Sequence, residues 1–253
     1  MQQIFPIILF VGGILGGLYA SNVGGGALIS FPLLVLTGLP THSVIATQRF
    51  AAVILELVSA ARFYKEKQIN LKIGVMLGLI AACGSVIGSK IVLAVSERFL
   101  NLVVGVLFLI VFVVLFNKDR IGIKEKPLTH KNLALASVAT FLLAIYGGFF
   151  GAGFGFFIIV VLVLLGFTFI KSAAIGRVVG FFMSAASAIV FARSGLINYQ
   201  YGIALGAGFA IGSWVGIGIA MKRGDKYIKS LLIIIMILSL VKLLSGVFNF
   251  NVF

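Results

Sequence analysis

The chain has 253 residues, 61% of them hydrophobic and only 10% charged, with a formal net charge of +14. Ordinary globular domains are about 45–50% apolar and about 25% charged, so a mean hydropathy of +1.23, with apolar stretches from end to end, excludes a soluble domain carrying a single anchor. A spanning helix needs about 20 mainly apolar residues, which leaves room for about eight to ten such segments and none for a soluble catalytic domain.

The first apolar segment covers residues 4–20. Met1-Gln2-Gln3 supplies no basic n-region of the kind that opens a signal peptide, and a similar segment returns at 132–149, so a permanent helix is expected. Ser21-Asn22-Val23-Gly24-Gly25-Gly26 follows, then a short apolar segment at 27–37. Segment 44–61 contains Gln48, Arg49 and Glu56, and is followed by segments 71–94 and 99–116. The longest polar stretch, 117–131, divides the chain into an N-terminal repeat at 1–116 and a C-terminal repeat at 132–253. Beyond it come 132–149, the loop Gly147-Gly148-Phe149-Phe150-Gly151-Ala152-Gly153-Phe154-Gly155, and segments 156–166, 173–192, 199–221 and 230–247.

A shift of 128 residues aligns the halves without a gap, with fifteen of 51 positions identical between Gly38–Gly88 and Gly166–Gly216. The densest block pairs Ile69-Asn70, Gly74, Gly78, Gly84-Ser85 and Gly88 with Ile197-Asn198, Gly202, Gly206, Gly212-Ser213 and Gly216. Shared apolar composition would scatter Leu, Ile and Val matches; these are mainly Gly, Ser, Asn and Arg, the mark of a duplication. The glycines have small-xxx-small spacing, which lets helices approach closely in lipid.

The basic residues lie mostly in short connections, as cytoplasmic loops do under the positive-inside rule, and nucleic-acid binding is not expected. Rich clusters occur around Arg62, Lys65, Lys67 and Lys72, in the linker (Lys118, Arg120, Lys124, Lys126, Lys131), and at Lys222, Arg223, Lys226 and Lys229. Placing all three in the cytoplasm requires an odd number of crossings per half; the alternative, an eight-helix parallel arrangement, merges each first pair into one crossing and puts Lys222–Lys229 outside, against the charge bias. The expected fold is therefore an all-α polytopic membrane protein. It has two inverted-topology repeats of about five helical segments, each with a short broken or re-entrant helix, and both termini lie outside.

Inverted repeats with interrupted helices mark transporters, with the site near mid-membrane. Each glycine loop precedes a segment of about 11 residues, which rises only about 17 Å. Partial helices are expected, their N-termini inside the protein, where free N–H groups and the helix dipole favour an anion. Arg49 and Arg177 stand 128 residues apart inside apolar segments. A buried ionisable residue is costly and marks function, and a guanidinium fork suits oxyanions. The candidate substrate-binding set is Arg49, Arg177, Asn22, Gly24, Gly25, Gly26, Gly151, Gly153, Gly155, Gln48 and Thr47. Glu56 and His42 are candidates for ion coupling or an ion pair. Arg49 and Glu56, seven apart, share a helix face, and His42 starts its segment in Thr41-His42-Ser43, an N-cap region.

One cysteine, Cys83, and two histidines, His42 and His130, allow no disulfide framework and give no Cys/His cluster with metal-ligand spacing. No metal or cofactor is expected. An intramembrane protease needs a Ser/His pair, paired Asp or a zinc motif; neither His has an evident pairing, and Asp119 and Asp225 lie in loops. An enzyme is not expected.

Gly-Gly-Gly before a short helix, Thr37-Gly38-Leu39-Pro40, Ala46-Thr47, a basic loop, Ile69-Asn70 and a Gly-rich helix ending near Ser96-Glu97-Arg98 follow one another in the first half, and degenerate counterparts follow in the same order in the second. This pattern resembles the sulfite exporter TauE/SafE family of membrane transporters over essentially the whole chain. The second copy departs from the triple glycine, with Phe156-Phe157 after Gly155. The resemblance implies a secondary transporter in the cell membrane, without an ATPase subunit, for sulfite, an organosulfonate or another small solute. The expected partners are that small anion and the lipid bilayer, with a homodimer a candidate assembly. An anion channel and a non-transporting structural subunit are the alternatives.

Overall fold

A computed structural model describes residues 4–91, 129–149, 151 and 153–234. The expected segment 99–116 and nearly all of the linker lie outside the described residues, as does most of 230–247. The described residues form α1 (Phe5–Val23), α2 (Ala27–Val35), α3 (Thr41–Lys65), α4 (Leu71–Ile91), α5 (His130–Phe149), α6 (Phe154–Leu164), α7 (Phe169–Arg193) and α8 (Tyr199–Arg223). Residues 225–234 are also helical and are called α9. Six of these helices, α1, α3, α4, α5, α7 and α8, are long and apolar enough to cross a membrane; α6 is apolar but short. Among the described residues there is no β-strand.

The helix starts and stops follow from local chemistry. Pro6 occupies the first turn of α1, where its missing N–H costs nothing. At its other end Gly24 and Gly25 both take positive φ, +81° and +80°, which breaks the chain before α2. Asn198 caps α8 by accepting from Tyr201 N at 3.1 Å, and Asn70 does the same for Ile73 N at 3.3 Å before α4. The repeated Ile-Asn pair is thus a helix start in both halves; a good cap contributes about 1 kcal/mol.

Close contacts fix the helix directions. Gly12 and Gly16 of α1 face Leu33 and Ile29 of α2, so α1 and α2 form an antiparallel hairpin closed at Gly24–Gly26. Gly13 and Gly17 meet α8 at Leu205 and Phe209, while Gly208, Gly212 and Gly216 meet α1 at Phe10, Ile14 and Leu18; α1 and α8 run in the same direction. So do α3 and α8, since Gly202 faces Phe50 and Gly206 faces Ile54. Gly74 and Gly78 of α4 face Val178 and Phe182 of α7, and Gly84 faces α5 at Phe141 and Ala144, while Ser85 faces Gly148. Hence α4, α5 and α7 share the opposite direction. The pairing is two-fold: α1 packs on α8 as α5 packs on α4, and α3 packs on α8 as α7 packs on α4.

One end of this bundle is basic. Arg62 and Lys65 at the end of α3 lie over the ring of Trp214, at 4.7 and 5.8 Å, and α8 runs on from there to Lys222 and Arg223. The start of α7 is tied to the same end by Ile170 N, which donates to Asp225 Oδ1 at 2.7 Å. Large apolar side chains on the outer faces, among them Ile7, Leu15, Leu79, Leu142, Ile203 and Ile211, are exposed as lipid-facing residues would be.

Candidate anion site between the two glycine loops

Where the two hairpin loops meet, the backbones of Gly24 and Gly155 are so close that a Cβ on either would overlap the other. Around this contact lies a cavity of about 30 Å³, room for a water or a compact ion. Its walls come from both halves. Gly26, Ala27, Arg49, Leu55 and Glu56 line it, and so do the residues 128 positions on, Phe154, Gly155, Arg177, Met183 and Ser184. Gly24, Gly25, Gln48, Ala52 and Gly151 complete it. The short helices α2 and α6 begin at this cavity with the positive ends of their dipoles; the first-turn N–H groups of Leu28, Ile29 and Ser30 donate to the Gly25 and Gly26 carbonyls, and those of Phe154, Phe156 and Phe157 to the Gly151 and Gly153 carbonyls.

Both arginines are brought to the wall and both are buried, Arg49 at 2% and Arg177 at 1% exposure. Their surroundings differ. Arg177 Nη1 donates to Glu56 Oε1 at 3.1 Å and to the Ala20 carbonyl at 3.3 Å, and Glu56 Oε2 is also 3.1 Å away. Glu56 therefore pairs across the halves with Arg177, from α3 to α7, rather than along its own helix with Arg49. Arg49 has no carboxylate ion pair among the described residues, and its Nε and Nη2 have no hydrogen-bond partner. Its guanidinium packs on Gly151, where φ is +70° and a Cβ would collide with it. Among the described residues, the Oε1 of Gln48 and the hydroxyl of Ser184, both on the cavity wall, also lack partners.

The family model for the sulfite exporter TauE/SafE matches residues 9–243 of this chain. The chain belongs to that family. Among similar curated proteins, a probable membrane transporter protein of Haemophilus influenzae is 28% identical over 255 residues, covering 96% of each chain. The probable membrane transporter protein ORF9 of a Sinorhizobium species is 26% identical over 238 residues, 94% of this chain and 91% of that one. The probable membrane transporter protein YfcA of Escherichia coli is 23% identical over 238 residues, 94% of this chain and 88% of its own. No solved structure gives a significant match. This TauE/SafE member is thus a multi-pass integral membrane protein of a transporter family.

Within it, the residues singled out from sequence fall into two groups. Gly24, Gly25, Gly26, Gln48, Arg49, Glu56, Gly151, Gly155 and Arg177 come together around one cavity. Asn22, Thr47, Gly153 and His42 stand elsewhere. Asn22 Nδ2 donates to the carbonyls of Leu18 at 3.2 Å and Gly216 at 3.0 Å, tying α1 to α8. Thr47 Oγ1 accepts from Asn198 N at 3.0 Å at the start of α8. Gly153, with φ +85°, is the residue before α6, and His42 is exposed in the first turn of α3. Sequence reasoning missed Ser184 and Met183. The signal that could have found them was the 128-residue offset itself, applied to Glu56 and Leu55.

Proposed function

We propose that this protein is a secondary carrier that holds one small oxyanion, sulfite or an organosulfonate, between its two halves and moves it by alternating access. The observation that carries the reading is Arg49: a buried guanidinium with unpartnered N–H groups on a cavity wall, facing glycine loops at two helix starts. A permanent cation at this depth is costly unless something negative completes it, and a planar guanidinium fork beside two helix N-termini suits an oxyanion. Glycine at positions 24, 25, 151 and 155 keeps side chains out of the way, so backbone dipoles reach the ligand.

In this reading the halves are inverted-topology repeats. The α1–α2 hairpin opens toward the basic-poor face and the α5–α6 hairpin toward the basic, cytoplasmic face. The long helices α3 and α7 carry Arg49 and Arg177 and cross at the cavity. Rocking of one half against the other about this crossing exposes the anion first to one side and then to the other.

The test is flux in proteoliposomes. Wild-type protein should accumulate labelled sulfite or methanesulfonate against its gradient, which separates a carrier from a channel. Arg49→Gln should abolish accumulation at unchanged expression and folding; wild-type flux in that variant would sink the assignment.

A further inference from the structure

The duplication is broken at one place in the cavity, and that break sets its charge. Glu56 and Ser184 occupy equivalent positions, 128 residues apart, as do Arg49 and Arg177. Glu56 on α3 neutralises Arg177 on α7, at 3.1 Å. The mirror-related contact would run from Arg49 to position 184, where serine offers no charge and its hydroxyl has no partner among the described residues. Among the described residues lining the cavity, Arg49, Glu56 and Arg177 are the charged ones. Two cations and one anion leave a single net positive charge.

We propose, building on the anion-carrier reading above, that Glu56 is a specificity-determining residue that sets this site to bind a monoanion in preference to a dianion. A monoanion leaves the cavity neutral. A dianion leaves it with an uncompensated negative charge in a medium of low dielectric constant, where such a charge is costly. Charge, rather than the identity of the tail, is then the first selection the site makes. For a sulfur oxyanion this picks out the singly charged species: a sulfonate with one head group, or hydrogensulfite rather than sulfite dianion.

The probes are methanesulfonate and sulfate, tetrahedral heads of similar size that differ by one charge. Their affinities would be measured on purified protein in detergent by isothermal calorimetry. Wild-type protein should prefer methanesulfonate. Glu56→Gln raises the net charge to two, and the preference should swing toward sulfate by on the order of tenfold to a hundredfold, the size of one added Coulomb interaction at an intermediate dielectric. Glu56→Gln combined with Arg177→Gln restores one net charge without leaving Arg177 unpaired, and its ratio should return to that of wild type. Ser184→Glu builds the missing mirror pair with Arg49, and should weaken both anions at least tenfold.

An unchanged ratio in folded Glu56→Gln overturns the inference. So does a double variant whose ratio stays near or beyond that of the single one, or a Ser184→Glu variant with wild-type affinity. If Glu56→Gln alone fails to fold, the double and Ser184→Glu variants decide. Failure of the ratio test while binding still depends on Arg49 removes this inference alone; binding of neither anion by wild-type protein removes the carrier reading with it.

Discussion

Gly151 and Gly38 separate two uses of the same residue. Both take positive φ, +70° and +78°. At Gly38 a Cβ would meet nothing within 4 Å, so Gly38→Ala carries only the left-handed backbone penalty of about 1–2 kcal/mol. At Gly151 the same methyl would occupy the space of the Arg49 guanidinium. Gly151→Ala should therefore displace the cation from the cavity and abolish anion binding. Gly38→Ala should lower the melting temperature in detergent by a few degrees and leave binding within about twofold of wild type. Calorimetric binding alongside thermal melts reads both effects; full binding by Gly151→Ala would show that Arg49 does not need its observed position. This contact had no signature in the sequence, because residues 49 and 151 meet only when the hairpin loop of one half folds against α3 of the other.

Between elements, the packing rests on helix faces without side chains. The α1–α8 seam interleaves Gly13 and Gly17 with Gly208, Gly212 and Gly216, and backbone atoms of one helix lie where a Cβ of the other would go. Lipid supplies no hydrophobic drive between helices, so this close approach is where the association energy arises. Gly212→Ala should wedge α8 away from the Ile14 carbonyl and cost about 1–3 kcal/mol, as overpacking does. Gly218→Ala, on the same helix, meets only Arg62 Nη2 at 3.8 Å and should be neutral or slightly stabilising. Thermal unfolding of the two variants in one detergent checks the pair; equal melting temperatures would mean the seam is looser than described. Much of this was legible beforehand. The small-residue spacing marked the packing faces, and the two glycine loops marked short helices, found at Ala27–Val35 and Phe154–Leu164. The partner of Glu56 was not legible. Its spacing to Arg49 places both on one face of α3, yet the partner, Arg177, lies 121 residues away, and only the crossing of α3 and α7 brings it near. The Asn70 and Asn198 caps were visible as a repeat, while their role needed the helix boundaries they create.

At the scale of the molecule, helix directions and charge placement are independent observations that agree. Contacts put the ends of α3 and α8 and the start of α7 at one end of the bundle, and that end carries Arg62, Lys65, Lys222 and Arg223. The turn at 194–198, between α7 and α8, lies at the other end and holds one basic flank, Arg193. Positive charge resists translocation, so the basic end should face the cytoplasm. Cys83 is the chain's one cysteine, and replacing it with serine gives a blank background for labelling. In that background Gly195→Cys should react with a membrane-impermeant maleimide added to intact cells. Gly224→Cys should react only after the membrane is permeabilised. Both glycines have positive φ and open surroundings, so the probes disturb no packing, although each carries a modest backbone penalty. Labelling of both positions from one side would require α8 not to cross the membrane. Because α1, α3 and α8 share a direction, that result would also remove the opposed hairpins on which the proposed alternating access depends. Reversed labelling, with position 224 outside, would keep the fold intact but turn it over in the bilayer, placing the basic end against the rule that predicts it inside.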